Sequence, residues 1–305
     1  MVHKKQIISP IERIVTPLLD EKEIMLFVKR EDLIHGPCQG NKFRKLAYQI
    51  KQIELLGKSE ILTFGGAFSN HIYAVAAAGD QLGIKTRGLI RGEFDPNNPT
   101  LQKAQQWGMQ LQFVSRSVYR QRHDISYIQQ LEKEYPNAYI IPEGGSHPLA
   151  YLGLADMVQE IRSQGLEDIN HWVCPYASGG TAIGIAQQLL SWETLHAFVV
   201  LKGLDPSKST SLAPDHKIVF HEAHYGGFAK RSPTIEDFVR VFYKQHGIIL
   251  DPLYTGKMML GLFQSIRDNK IARKSKVLVI HTGGRQGIVG YNYLYRTDLP
   301  TGISW

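Results

Sequence analysis

Lys42 stands in Gly40-Asn41-Lys42-Phe43-Arg44-Lys45-Leu46, after an apolar run at 24–28 and a polar turn, Lys29-Arg30-Glu31-Asp32. The segment opens a helix-like stretch, so one primary amine sits at a helix mouth with Lys45 about one turn later. A lysine amine can hold an aldehyde as an imine and can move a proton. A cation at a helix N-terminus is electrostatically misplaced unless an anion lies there, and Lys42, Arg44 and Lys45 crowd this one. A bound phosphate would resolve that conflict. Taken alone, Lys42 reads as readily as a lysine on a solvated helix face.

Further glycine-rich turns follow strand-like runs. Ser178-Gly179-Gly180-Thr181 enters an Ala/Ile-rich helix; bare glycines let backbone N–H groups close around a phosphate, and the two hydroxyls can donate to it. Gly65-Gly66-Ala67-Phe68-Ser69-Asn70-His71 offers short donors at a helix start, which suits a carboxylate; ordinary capping explains Ser69 and Asn70 equally well. Asp251-Pro252-Leu253-Tyr254-Thr255-Gly256-Lys257 places a tyrosine where it could stack on a planar ring and deliver a proton. His281-Thr282-Gly283-Gly284 ends an apolar strand with a hydroxyl and two glycines that permit close approach. No GxxxxGK and no strict GxGxxG is present, which disfavours Walker-type and dinucleotide sites.

The elements that must position these residues alternate. Strand-like runs lie at 24–28, 60–64, 85–90, 110–114, 138–141, 171–176, 197–201, 217–221 and 276–281. Helix-like segments lie at 42–56, 70–82, 101–107, 126–135, 149–161, 181–190, 235–243 and 257–266. In the first of these helices Phe43, Leu46, Ile50, Ile53 and Leu56 recur at helical spacing. Such alternation predicts an α/β protein with open, twisted, mostly parallel sheets wrapped by helices, and ligands at the carboxyl ends of the strands. Two polar stretches, 92–100 and 203–216, read as surface loops.

The chain has 305 residues, a formal net charge of +7 and two cysteines. Its basic residues are scattered without aromatic interleaving, so no nucleic-acid partner is expected. No apolar run reaches membrane-spanning length and the first 16 residues lack a signal-peptide pattern. Cys38 and Cys174 form no metal or disulfide framework, so no metal site and a reducing, cytoplasmic setting are expected.

Read in order, these motifs resemble the pyridoxal-phosphate enzymes of the 1-aminocyclopropane-1-carboxylate deaminase and D-cysteine desulfhydrase family, in the tryptophan-synthase-β-like group (fold type II). The resemblance runs in register from about residue 9 to 291. It implies pyridoxal 5'-phosphate as cofactor, bound by Lys42 as an imine, with Lys42 also moving the α-proton. It implies further that Lys45 lies near the phosphate, that Ser178, Gly179, Gly180 and Thr181 form the phosphate loop with help from Asn70, and that Ser69, Asn70 and His71 receive the substrate carboxylate. His71 stands where the family commonly has glutamine. Tyr254 matches the tyrosine over the cofactor ring, and Tyr225, in His224-Tyr225-Gly226-Gly227-Phe228, matches a second active-site tyrosine more loosely. Thr255 and Thr282 match the desulfhydrase pattern, where deaminases carry glutamate and an apolar residue. The resemblance therefore implies a lyase that takes a small amino acid, foremost D-cysteine, to pyruvate, ammonia and sulfide. The alternatives are deamination of 1-aminocyclopropane-1-carboxylate to 2-oxobutyrate, or a cofactor carrier with weak turnover. It also implies a homodimer of two-domain subunits, with a small domain at 57–146 and a discontinuous large domain at 1–56 plus 147–305.

Overall fold

A computed structural model of the chain describes residues 8–34, 36, 38–206, 217–227 and 230–302. Most of the expected polar loop at 203–216, from residue 207 on, lies outside the described residues. In chain order the strands are β1 (Ile11–Ile14), β2 (Met25–Lys29), β3 (Glu60–Gly66), β4 (Lys85–Arg91), β5 (Gln110–Val114), β6 (Ala138–Ile141), β7 (His171–Tyr176), β8 (Thr194–Val199), β9 (Ile218–Glu222) and β10 (Lys276–Ile280). They make a six-stranded sheet ordered β1-β2-β10-β7-β8-β9 and a four-stranded sheet ordered β5-β4-β3-β6. Every pairing is parallel except β1 with β2.

Parallel strands need crossover helices, and these cover both faces of each sheet. On β7, Trp172 and Cys174 enter one apolar layer with Met157 and Ile161, while Val173 enters the opposite layer with Met259 and Leu262. In the small sheet Ile61 and Ile90 pack with Ala76, whereas Leu62, Phe64 and Leu89 pack with Leu131. The two-residue period of a strand divides these side chains between layers.

The elements differ from the sequence reading at instructive places. β8 begins at Thr194, three residues before the apolar run, because its pairing with β7 starts at His171↔Thr194. The helix after the Ser178 turn stops at Ala186. One strand and three α-helices were not legible: β1, a four-residue edge strand, the five-residue helices Pro17–Glu21 and Arg116–Arg120, and the helix Arg285–Tyr295 behind the second glycine of His281-Thr282-Gly283-Gly284. Leu56, expected on the buried face of the helix Asn41–Leu55, lies past its end and is exposed. The polar turn Lys29-Arg30-Glu31-Asp32 is buried: the four residues are 0, 4, 0 and 1% exposed.

Candidate active site

Because β2, β10 and β7 are adjacent and parallel, the loops leaving their carboxyl ends lie side by side. Gly40 precedes the helix Asn41–Leu55 with φ of 68°, and a Cβ there would stand 2.2 Å from Thr282 O. Only glycine permits this approach. Asn41 N then donates to Thr282 O at 3.1 Å, sewing the lysine helix to the turn after β10. The helix Pro148–Ser163 crosses it at Gly153, where a Cβ would meet Arg44 O at 2.0 Å.

On this helix, Lys42, Arg44 and Lys45 meet three fates. Arg44 is buried and fully paired, to Glu31 at 2.8 Å and Glu160 at 2.8 Å. The anion that answers it is therefore protein, not ligand. Lys29 also pairs with Glu160, and Arg30 with Asp32 at 2.8 Å. Lys42 and Lys45 have no carboxylate within ion-pair distance among the described residues. Among the described residues Lys42 Nζ reaches Asn41 Oδ1, at 3.4 Å; burial lowers its pKa to about 8, with the Cys38 thiol pulling the other way. Lys45 Nζ donates to Gly144 O at 2.6 Å and Ser146 Oγ at 3.3 Å. Burial first, and the Lys42 cation second, hold Lys45 well below the usual lysine range.

Lys45, Ser146, Ser178, Gly180, Thr181 and Asn41 converge. Ser146 Oγ lies 3.2 Å from Ser178 Oγ, and Asn41 Nδ2 donates to Thr181 Oγ1 at 2.8 Å. A Cβ on Gly180 would stand 2.6 Å from Ser146 Oγ and 2.9 Å from Lys45 Nζ, so glycine alone leaves these polar atoms room. Gly179 adopts φ of 80°, which turns the chain into the short helix Gly180–Ala186. A cradle of hydroxyls around an uncompensated ammonium fits a phosphate. Asn41 and Ser146 were missed in the sequence. Their signal was present for Ser146, which follows β6 in a further glycine turn, Gly144-Gly145-Ser146.

A narrow cavity beside this cradle is lined by Lys42, Asn41, Asn70, Tyr73, Thr282 and Gly284. Asn70 also lies against the helix Arg285–Tyr295, its Oδ1 3.1 Å from the Cβ position of Gly287. Ser69 caps the helix Asn70–Leu82 by accepting from His71 N and Ile72 N. Tyr254 and Thr255 reach the same turn through Asp251. The Asp251 carboxylate accepts from the backbone of Leu253, Tyr254 and Thr255, and its Oδ2 from the Thr255 hydroxyl at 2.5 Å. That Oδ2 stands 2.9 Å from the Cβ position of Gly284. Thr255 is 0% exposed, so its hydroxyl is committed to Asp251 rather than offered to a ligand. Burial raises the Tyr254 phenol, with Asp251 and Glu143 adding to it.

Two expected residues turn elsewhere. The His71 ring faces away from the cavity lining, with Nε2 2.8 Å from Thr63 Oγ1 inside the small sheet; a buried hydroxyl partner outcompetes the cleft for it. Tyr225 donates to Gln264 at 2.8 Å. Gln264 lies nine residues beyond Thr255 on the helix Thr255–Arg267, about 13 Å along its axis, so this hydroxyl points away from Tyr254.

The general family model for pyridoxal-phosphate dependent enzymes matches residues 12–283. The chain belongs to the pyridoxal-phosphate dependent enzyme family. Its relatives include a putative 1-aminocyclopropane-1-carboxylate deaminase of Thermotoga maritima, 30% identical over 284 residues, 86% of this chain and 89% of that one. A bifunctional D-cysteine desulfhydrase/1-aminocyclopropane-1-carboxylate deaminase, mitochondrial, of Arabidopsis thaliana is 29% identical over 86% of this chain and 73% of its own. Among solved structures, an ACC deaminase homologue superposes with a TM-score of 0.80 at 26% identity, covering 92% of this chain and 90% of that one. The family's cofactor is the phosphorylated aldehyde that the Lys45 cradle and the Lys42 amine fit. Among the described residues no helix is long and apolar enough to cross a membrane.

Proposed function

We propose that the chain is a D-cysteine desulfhydrase-type lyase, converting D-cysteine and water to pyruvate, ammonia and hydrogen sulfide. Lys42 would hold the cofactor aldehyde; Lys45, Asn41, Ser146, Ser178, Gly179, Gly180 and Thr181 would hold its phosphate. Bound there, the cofactor supplies the electron sink that makes the substrate α-proton acidic. Lys42 Nζ is the base for that proton, and a pKa lowered to about 8 keeps part of it neutral near neutrality. Tyr254, raised by burial, stays protonated and donates rather than accepts. Ser69 and Asn70 would receive the substrate carboxylate at the start of the helix Asn70–Leu82.

One observation carries the choice of reaction. The wall at Thr282 and Gly284 presents a hydroxyl, and the nearest carboxylate behind it, Asp251, is saturated by four donors. Among the described residues that line the cavity there is no Asp or Glu to protonate a ring nitrogen. A neutral ring stabilises negative charge less, which favours prompt loss of a thiolate over opening of an unactivated cyclopropane. The relatives named for both reactions support the pair of substrates and keep deamination of 1-aminocyclopropane-1-carboxylate as the second reading. Purified protein given D-cysteine, L-cysteine, D-serine and 1-aminocyclopropane-1-carboxylate tests this. Pyruvate release from D-cysteine should exceed 2-oxobutyrate release from the cyclopropane; the reverse order rejects the assignment.

The same reading makes the segment 57–146, around the four-stranded sheet, the small domain of a closing cleft, and 1–56 plus 147–305 the large one. It also makes the protein a cytoplasmic homodimer, which sedimentation and fractionation would check.

A further inference from the structure

Beneath Gly145, where the helix Asn41–Leu55 meets the helix Asn70–Leu82, β3 and the loop after β6, two buried acceptors lack donors. Thr63 Oγ1 donates its single proton to Ile141 O at 2.7 Å and lies 2.8 Å from His71 Nε2. The hydroxyl therefore accepts from Nε2–H, which leaves Nδ1 as a bare lone pair. His71 is 2% exposed and its Nδ1 is buried without a hydrogen-bond partner. Gln49 Nε2 donates both hydrogens, to Lys45 O at 2.9 Å and Gly145 O at 3.3 Å, and its Oε1 is likewise buried and unpartnered. Both side chains crowd one point: a Cβ on Gly145 would stand 3.6 Å from His71 Nδ1 and 3.8 Å from Gln49 Nε2. Two buried acceptors in one seam are costly unless a donor joins them.

We propose that this seam is a proton site coupled to the anion cradle: an anion held by Lys45, Ser178 and Thr181 draws a proton onto His71 Nδ1, so that the seam's two donorless acceptors are no longer both bare. The inference rests on reading that cradle as the phosphate subsite. The charged groups acting on His71 are Lys42 and Lys45 of the lysine helix. Thr63 of β3 is neutral, and Glu143 before Gly145 is bonded instead to Tyr119 and Arg122, each at 2.6 Å. Burial first, then these two lysines, keep His71 well below the usual histidine range. An anion at Lys45 screens one of those two cations. By linkage, the proton and the anion then tighten each other's binding, about tenfold for each unit by which His71 rises.

Nitrogen NMR of His71 and sulfate binding to the full chain stripped of cofactor test this. Sulfate is the probe because it does not itself titrate between pH 6 and pH 7, where Lys42, lowered to about 8, stays mostly charged. The cofactor-free protein should show a bare Nδ1, and the cofactor-loaded protein a protonated one. Sulfate should convert the first to the second with uptake of up to one proton per anion, read by calorimetry in two buffers of different ionisation enthalpy. H71Q should bind sulfate without that uptake. Uptake that persists in H71Q belongs to Lys45 and overturns the proposal, as does a bare Nδ1 in the loaded protein. If K45M binds sulfate and cofactor as tightly as the parent, the phosphate-subsite reading falls and takes the proton site with it. If K45M weakens both while Nδ1 stays bare, only the proton site falls.

Discussion

Two sets of buried cations sit on and around one helix and do opposite work. Arg44, with Lys29 beside it, is answered by Glu31 and Glu160, so burial there costs little beyond what the ion pairs return. Lys42 and Lys45, two residues and one residue from it along the chain, are answered by no carboxylate among the described residues, and both are held below the usual lysine range by burial. A buried charge is therefore not by itself a sign of function. The absence of a countercharge is, because the protein bears that desolvation cost only where a ligand offsets it.

The comparison can be broken most decisively at Lys42. K42A should lower D-cysteine turnover by about a thousandfold, within the range of general acid–base loss, and borohydride reduction should then leave no pyridoxyl group on the peptide that carries position 42. A cofactor that stays fixed and active in that variant rejects the site. Next comes the compensated set. E160Q leaves Lys29 and Arg44 short of a partner and should lower folding stability by about 3–5 kcal/mol, read by denaturant titration, with cofactor binding retained by the folded fraction. K45M should behave inversely. Stability holds or rises, while phosphate and cofactor affinity fall by roughly 10–100-fold, the worth of a charged hydrogen bond.

A pH experiment sharpens the same contrast. Lys42 is lowered from 10.5 to about 8, so between those values the unfolded chain binds the proton that the folded one has released. The stability contribution of this group therefore rises with pH from about 8 to 10.5. Comparing cofactor-free parent and K42M across that window should show the rise only in the parent. The smallest effect belongs to Y225F. With its hydroxyl on Gln264, the loss should be under about threefold in kcat, and about 1 kcal/mol or less in stability; a hundredfold fall in kcat would return Tyr225 to the chemistry.

Much of the architecture could be read from alternating runs, because strand and helix periods are local properties of the chain. The glycine turns were legible for a related reason: a positive φ or a close approach narrows the choice of residue to glycine, as at Gly40 and Gly179. Direction was not legible. His71 and Tyr225 lie in segments that the family resemblance brings to the cleft, yet their polar atoms find Thr63 and Gln264 instead. Asp251 sat in a quoted motif without being singled out, because its capping of Tyr254 and Thr255 shows only in three dimensions.

The order of residues alone determined that this is an α/β chain with an amine at a helix mouth and glycine turns at the ends of its parallel strands. It could not determine which of three neighbouring cations would be free. That was decided when Glu160, 116 positions beyond Arg44, folded against it and left Lys42 and Lys45 unanswered. Electrostatics in a low-dielectric interior depends on distance in space, and sequence separation says nothing about that distance until the sheets have formed.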